Sequence, residues 1–193
     1  MNQLLQTRPG TTLSATCGYS GLRSNRRQNA MADDITTLRR ILGTARTIAV
    51  VGLSAEWHRP SHFAAQYMQA KGYRMIPVNP RYESILGVRC FARLEDIAEP
   101  VDIVDVFRRT DDVGPIADSA IRIKAKCLWQ QIGVKNVEAD AKARAAGLDS
   151  VMDRCVKIEH ARLFGGLHWV GVNTRVLSAK RPLMSPGTTV AHG

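Results

Sequence analysis

The sequence predicts an α/β fold built on a doubly wound, mostly parallel sheet with helices on both faces. Three observations support this prediction. Apolar runs of strand length alternate with segments of helical spacing, which is typical of βαβ units. The run TIAVVGLS at residues 47–54 ends in a glycine turn, as in the first strand and phosphate turn of nucleotide-binding domains. No internal repeat or low-complexity block interrupts residues 33–163.

Local signals define the first elements. Asp33 or Asp34 can cap a helix that runs through Leu42, and Gly43 is expected to close it. The first strand follows at residue 47. Pro60 opens a second helix, whose apolar residues share one face at i, i+4 spacing and which is expected to end at Gly72.

The later elements continue the alternation. They are a strand at 73–78, a short strand at 87–91, a one-turn helix near 94–97, a strand at 101–107, a helix at 113–124, a strand at 126–130, a helix at 137–146 followed by Gly147, and a strand at 150–152. Strands that alternate with helices imply a parallel sheet covered on both faces, so the architecture is Rossmann-like.

Charge is unevenly distributed along the 193 residues, which carry a formal net charge of +10. Residues 1–32 and 164–193 contain seven basic residues and no acid, whereas residues 33–163 contain 20 basic and 17 acidic residues. Such a balanced body lacks the excess positive charge that a nucleic-acid groove needs to neutralise phosphates. Nucleic acid is therefore disfavoured as a partner.

The cysteines, at positions 17, 90, 127 and 155, form no CxxC pair and have no histidine at zinc-ligand spacing. Neither a disulfide framework nor a metal site is indicated, so reduced thiols in the cytoplasm fit best. The longest apolar runs fall well short of the roughly 20 residues needed to cross a bilayer. The sequence thus predicts a cytoplasmic protein with no membrane segment and no metal.

Residues 1–30 are expected to form a disordered basic tail, because they are rich in polar residues and lack periodic apolar spacing. Three accounts of this segment remain open: a loose tail, a translated upstream region before a start at Met31, or an organelle transit peptide. The folded domain is assigned to residues 31–182, including a C-terminal extension at 163–182, and residues 183–193 to a flexible tail. Segment 163–176 of this extension is expected either to cover a sheet edge or to meet a second subunit of a homo-oligomer.

The turn after the first strand departs from the dinucleotide pattern GxGxxG. Gly52 is present, but Ser54 and Trp57 occupy the other two glycine positions, so a standard NAD site is disfavoured. The second strand ends in Asn79-Pro80-Arg81, where a ribose-binding acid is expected. Asn79 and Arg81 tolerate an additional ribose phosphate, which an acid would repel.

Arginine recurs where the predicted strands end. In a sheet of this kind ligands lie outside the carboxyl ends of the strands, near the point where strand order reverses. Arginine forks bind phosphates and stack on planar bases, which favours a polyphosphate with a flat heterocycle. The arginines in these loops are Arg59, Arg81, Arg108, Arg109 and Arg154.

The chain resembles the small, single-domain coenzyme A-binding proteins, whose fold is similar to the CoA-binding domain of the succinyl-CoA synthetase α subunit. The resemblance covers residues 35–182 through the segments IAVVGLS, RPSH, GYRMIPVNPRY, PVDIVDVFRR, LWQQIGV, MDRCVKIEHARLFGG and WVGVNT. It implies binding of coenzyme A or an acyl-CoA. The residues it places around the nucleotide are Gly52, Ser54, Arg59, Pro60, Asn79, Pro80, Phe107, Arg108, Gln131 and Gly133.

Catalysis does not follow from the resemblance. The synthetase works through a phosphorylated histidine in a separate domain, and this sequence has no glycine-flanked histidine of that kind. Two alternatives to a binding module remain open. One is an enzyme that acts on an acyl-CoA or uses NADP, with Cys155, Asp153 or His58 in the chemistry. The other is a CoA-sensing regulatory or scaffold protein whose basic tails hold a partner.

Overall fold

The computed structural model describes residues 35–165. Within this range the α-helices are α1 (Ile35–Thr44), α2 (Pro60–Ala70), α3 (Val113–Arg122), α4 (Val137–Ala145) and α5 (Val156–Phe164). The strands are β1 (Thr47–Val51), β2 (Arg74–Val78), β3 (Ser84–Ile85), β4 (Val88–Arg89), β5 (Ile103–Val106), β6 (Cys127–Gln130) and β7 (Asp149–Val151). Short 3₁₀ helices span Leu94–Asp96 and Thr110–Asp112. The caps proposed at Asp33 or Asp34, the predicted tails at 1–30 and 183–193, and the C-terminal extension beyond residue 165 lie outside the described residues.

Five strands form one parallel sheet in the order β2-β1-β5-β6-β7. The predicted Rossmann-like α/β fold is therefore confirmed. From β1 the chain first adds β2 on one side and then returns to place β5 on the other side. Strand order thus reverses at β1 and β5, and their carboxyl ends open a crevice there.

Helices cover both faces of this sheet. One face packs against α1, α2 and α5, with Leu38, Met68 and Leu163 in the buried cluster. The other packs against α3 and α4, with Ala117 and Ala143 in the second cluster. Because both faces are buried, β1 is apolar on both sides from Ile48 to Val51, and β5 is apolar apart from the buried Asp105. No helix within residues 35–165 has the length and apolar character to span a bilayer.

Glycines end two of the helices as expected. Gly72 and Gly147 follow α2 and α4 with φ of 90° and 88°, the left-handed conformation that glycine adopts without steric cost. The prediction that Gly43 closes the first helix is wrong, because α1 continues through Thr44. The Thr44 hydroxyl donates to the Arg40 carbonyl at 2.8 Å.

The segment after β2 also differs from its prediction. In place of one strand at 87–91, β3 and β4 form a small antiparallel hairpin. Leu86 and Gly87 connect them with φ of 52° and 75°, the two positive values that a type I′ turn requires. Phe91 then makes an isolated parallel bridge with Val78. A leucine in the left-handed region is an uncommon turn residue, so Gly87 was the one signal of this turn in the sequence.

Candidate functional site

A cavity of about 790 Å³ lies at the carboxyl ends of β1, β2, β5 and β6, where strand order reverses. This volume falls within the roughly 300–1,000 Å³ typical of small-molecule sites. Nine of the residues singled out from sequence line it: Gly52, Ser54, Arg59, Pro60, Asn79, Arg81, Phe107, Arg108 and Gln131. Pro80 and Gly133 do not. Pro80 is exposed, and the Gly133 N–H donates to Asp153 Oδ1 at 2.7 Å.

Sequence reasoning missed several other lining residues, and Arg109 and Cys155 were considered without being assigned to the nucleotide. Most of these additional lining residues lie within three positions of a residue that was predicted to bind the ligand. Closeness along the chain to a predicted residue was therefore the signal that could have found them. The additional lining residues are Glu56, Ser61, Tyr82, Arg109, Asp112, Ile132, Val134 and Cys155.

Gly52 allows the ends of β1 and β5 to approach each other closely. Its φ is 86°, and its N–H donates to the Val78 carbonyl at 2.9 Å. A Cβ at this position would lie 2.4 Å from the Phe107 carbonyl oxygen and 3.0 Å from Arg108 Nε. Only glycine fits here without movement of the backbone, so Gly52 brings the Arg108 side chain beside the first turn.

Asn79 joins the loops after β1 and β2. Its Nδ2 donates to the Leu53 carbonyl at 2.7 Å, and its Oδ1 accepts from the Arg81 N–H at 3.1 Å. Both ends of the buried amide are therefore engaged within the protein. An aspartate could not donate to the Leu53 carbonyl, so the absence of an acid at this strand end also has a structural reason.

The uncapped start of α2 borders the cavity. Pro60 is the first helical residue, and Arg59 at the N-cap makes no side-chain capping bond. The Ser54 N–H donates to the hydroxyl of buried Ser61 at 3.2 Å, and the Ser54 hydroxyl accepts from the Glu56 N–H at 3.1 Å. These bonds order the loop in front of a helix N-terminus whose dipole favours anions. Pro60 has no N–H, and the His62 and Phe63 N–H groups donate to the Arg59 carbonyl at 3.0 and 3.2 Å.

Four arginines line the cavity, but their charges are not equally available. Arg59 pairs with Glu56 at 2.8 Å, and this hydrogen bond lowers the pKa of the Glu56 carboxyl. Arg109 lies 3.6 Å from Asp112. Arg81 and Arg108, both exposed, have no acidic partner within residues 35–165.

A buried polar pair lies at the β5 and β6 side of the cavity. Asp105 of β5 is 1% exposed, and Gln131 Nε2 donates to its Oδ1 at 2.7 Å. Burial raises the pKa of Asp105 to about 7, although the hydrogen bonds from Gln131 and from the Val106 backbone act to lower it. The amide oxygen of Gln131 has no hydrogen-bond partner in the described structure. Asp105 was not singled out from sequence, although an acid within an apolar strand was a usable signal.

The residues considered for catalysis separate in space. Cys155 lines the cavity, and burial raises the pKa of its thiol. His58 and Asp153 do not line it: His58 lies 3.4 Å from Glu56, and Asp153 pairs with Lys135 at 2.7 Å. No group of three or more His, Cys, Asp or Glu side chains in the described range could hold a metal ion.

A family model for the CoA binding domain matches residues 46–161, a span that contains every lining residue of the cavity. The chain belongs to the CoA-binding domain family. This domain is 40% identical over 124 residues to the uncharacterized protein YneT of Bacillus subtilis, covering 64% of this chain and 92% of YneT.

Solved structures show the same fold. The cell-free ID.343 protein from Thermus thermophilus is 37% identical to this CoA-binding domain protein, with a TM-score of 0.66 over 68% of this chain and 99% of that one. A hypothetical protein from Pyrococcus horikoshii OT3 is 36% identical, with a TM-score of 0.66 over 67% of this chain and 92% of that one.

Proposed function

We propose that this domain binds coenzyme A or an acyl-CoA in the cavity at the carboxyl ends of β1, β2, β5 and β6. Membership of the CoA-binding domain family supports the ligand class. The observation that carries the proposal is the pair Arg81 and Arg108, two cavity-lining arginines without an acidic partner among the described residues. Unpaired arginines at a cavity rim suit phosphate groups, which they bind as bidentate forks.

The cavity fits the chemistry of the ligand in two further ways. The N-terminus of α2 borders the cavity with the positive end of its helix dipole, which favours a pyrophosphate. The end of β2 carries Asn79 and Arg81 instead of an acid, so a 3′-phosphate on the ribose meets no like charge there. In this assignment Gly52, Ser54 and Pro60 shape the turn, whereas Arg81 and Arg108 carry the phosphate contacts.

Calorimetric titration with CoA, dephospho-CoA, NADP and NAD tests the proposal. CoA is expected to bind most tightly, and dephospho-CoA more weakly because it lacks the 3′-phosphate. Arg81→Gln and Arg108→Gln should each weaken CoA binding by about tenfold or more, since charge-assisted hydrogen bonds are the strong ones. Arg39→Gln is the matched control, because Arg39 is exposed on α1 and does not line the cavity. Failure of wild-type protein to bind CoA at millimolar concentration, or equal affinity for NADP, would overturn it.

An acyl-CoA enzyme is the second candidate, and one observation favours it: Cys155 lines the same cavity. The raised pKa of its thiol argues against a thiolate nucleophile at neutral pH. Turnover of an acyl-CoA that is lost in Cys155→Ala would establish this candidate, whereas retained CoA binding without turnover supports the binding module.

We further propose a cytoplasmic location and the domain limits 31–182. Cys90, Cys127 and Cys155 are free thiols, as expected in a reducing compartment. Deletion of residues 1–30 should leave CoA binding unchanged in calorimetry. Homo-oligomerisation and a regulatory or scaffold role remain predictions, since the segments that motivate them lie mostly outside the described residues.

A further inference from the structure

Two exposed aromatic side chains pack against each other beside the cavity, and we call this pair the aromatic shelf. Trp57 lies on the loop between β1 and α2 and is 73% exposed, and Phe63 lies on α2 and is 44% exposed. Their rings meet edge to face, with centroids 6.5 Å apart. Single exposed apolar side chains are ordinary on protein surfaces, whereas contiguous ones often mark an interaction site. An occupant that covers both rings would remove this apolar surface from water.

The aromatic shelf borders the cavity where the first turns of α2 and α5 meet. Phe63 lies three positions after Pro60, which lines the cavity, and residues at this helical spacing are neighbours with Cβ atoms about 5–6 Å apart. Lys157 Nζ, from α5, lies 5.9 Å from the centre of the Phe63 ring. Two positions before Lys157 is Cys155, which also lines the cavity. A ligand chain that leaves the cavity between Pro60 and Cys155 therefore meets the shelf.

The size of the aromatic shelf decides between a protein partner and part of a small ligand. Aromatic side chains bury about 150–250 Å² each when they are covered, so the exposed fractions of Trp57 and Phe63 amount to roughly 200–300 Å². A standard protein interface takes about 800 Å² from each partner. The shelf is well below that area, whereas a single alkyl chain needs only a strip of this size.

Charged and polar groups surround the aromatic shelf, so its apolar surface ends at the two rings. The His58 ring lies edge-on to Trp57, with centroids 6.0 Å apart, and Lys157 lies at the other end of the shelf. Glu56 and Arg59, on the loop that carries Trp57, line the cavity and pair at 2.8 Å. A charged occupant would compete with this ion pair. A neutral apolar chain leaves the pair intact and covers only the rings.

Strand order determines which end of the ligand reaches the aromatic shelf. The sheet order places Arg81 after the edge strand β2, the start of α2 after β1, and Cys155 after β7 at the opposite edge. An acyl-CoA carries its 3′-phosphate at one end, its pyrophosphate in the middle and its acyl thioester at the other end. With the phosphates assigned to Arg81, Arg108 and the start of α2, the acyl end lies toward Cys155.

We propose that the aromatic shelf of Trp57 and Phe63 binds the alkyl chain of a medium-chain acyl-CoA, whose thioester lies at the cavity mouth near Cys155. This inference rests on the proposed function and narrows its ligand to an acyl-CoA with an extended apolar acyl group. Full burial of one methylene group strengthens binding about fourfold. A shelf covers one side of the chain, so each methylene that reaches it is expected to contribute about twofold.

Calorimetry of the full chain with acetyl-CoA and octanoyl-CoA measures the contribution of the alkyl chain. Wild-type protein should bind octanoyl-CoA at least about tenfold more tightly, because its acyl group is about six methylenes longer. Trp57→Gln and Phe63→Gln should each weaken octanoyl-CoA binding by about threefold or more and leave acetyl-CoA binding within about twofold. Phe164→Gln is the matched control and should change neither affinity. Phe164 is 43% exposed, close to the value for Phe63, but it ends α5 and does not line the cavity.

Four results would overturn the inference. Equal wild-type affinity for acetyl-CoA and octanoyl-CoA would show that the shelf takes no alkyl chain. Equal losses of both ligands in Trp57→Gln and Phe63→Gln would assign these residues to the structure of the loop and helix. Tighter binding of succinyl-CoA than of octanoyl-CoA would assign the acyl end to Lys157. A wild-type dimer in sedimentation that dissociates in Phe63→Gln, with unchanged octanoyl-CoA affinity, would assign the shelf to a second copy of the chain.

The same titrations separate this inference from the proposed function. In each of the four cases, binding of acetyl-CoA or CoA by wild-type protein would leave the proposed function standing. Absence of wild-type binding to every CoA ligand would remove both.

Discussion

Replacement of Gly52 by alanine tests whether the close approach of β1 and β5 shapes the cavity. Two costs add at this position. The φ of 86° costs an L-residue about 1–2 kcal/mol, partly offset by the lower entropy of the unfolded chain. The Cβ would also lie 2.4 Å from the Phe107 carbonyl oxygen, and overpacking of this kind costs about 1–3 kcal/mol because backbone must move. We expect Gly52→Ala to lower the free energy of unfolding by about 2–4 kcal/mol.

Gly72→Ala is the matched control. Its φ of 90° is nearly the same, but a Cβ there has no atom within 4 Å, so only the conformational cost of about 1 kcal/mol remains. Urea denaturation, with the same m-value for both variants, measures their free energies of unfolding. In thermal melts the melting temperature of Gly52→Ala should be about 5–15 °C below that of wild type. Calorimetry should show weaker CoA binding for Gly52→Ala alone, since Arg108 must shift. Equal destabilisation of the two variants would refute the close-approach argument.

Three further predictions concern individual contacts. Asn79→Asp removes the donor to the Leu53 carbonyl, so unfolding in urea should show a loss of about 1–3 kcal/mol; unchanged stability would contradict the bridging role. Glu56→Gln releases Arg59 from its ion pair and should strengthen CoA binding by less than about fivefold at low salt, an effect that calorimetry should find absent at high salt. The pKa of Asp102 is lowered from 3.8 to about 2 by its hydrogen bonds and ion pair, which outweigh burial. Its stabilisation, about 2 kcal/mol, is therefore present above pH 4 and lost as pH falls toward 2, and Asp102→Asn should flatten this part of the pH–stability curve.

Much of the fold could be predicted because its signals are local. Hydrophobic periodicity and helix punctuation act over a few residues, so α2, α3 and β6 were placed within about two residues of their observed bounds. The misses have local causes too. Gly43 resembles a helix stop but lies within α1, and the turn at Leu86 uses an uncommon left-handed leucine.

The candidate site was predictable only in part. The rule that ligands meet the carboxyl ends of parallel strands led from sequence to most of the cavity lining. Which rim charges are paired was not visible, since Glu56 reaches Arg59 only through the shape of its loop. The engagement of both ends of the Asn79 amide was also invisible, because Leu53 lies on another strand end, 26 residues away.

By itself the sequence determined the α/β class, the coenzyme-binding family resemblance and the strand-end loops that form the cavity, because short-range periodicity and motifs encode these features. Tertiary structure decided the strand order, and with it every contact across the crevice. The bond between Asp105 and Gln131 joins a residue of β5 to the residue that follows β6, 26 positions away. Such a bond depends on which strands become neighbours and on the atoms that burial then leaves without water, and neither quantity is a property of a local stretch of chain.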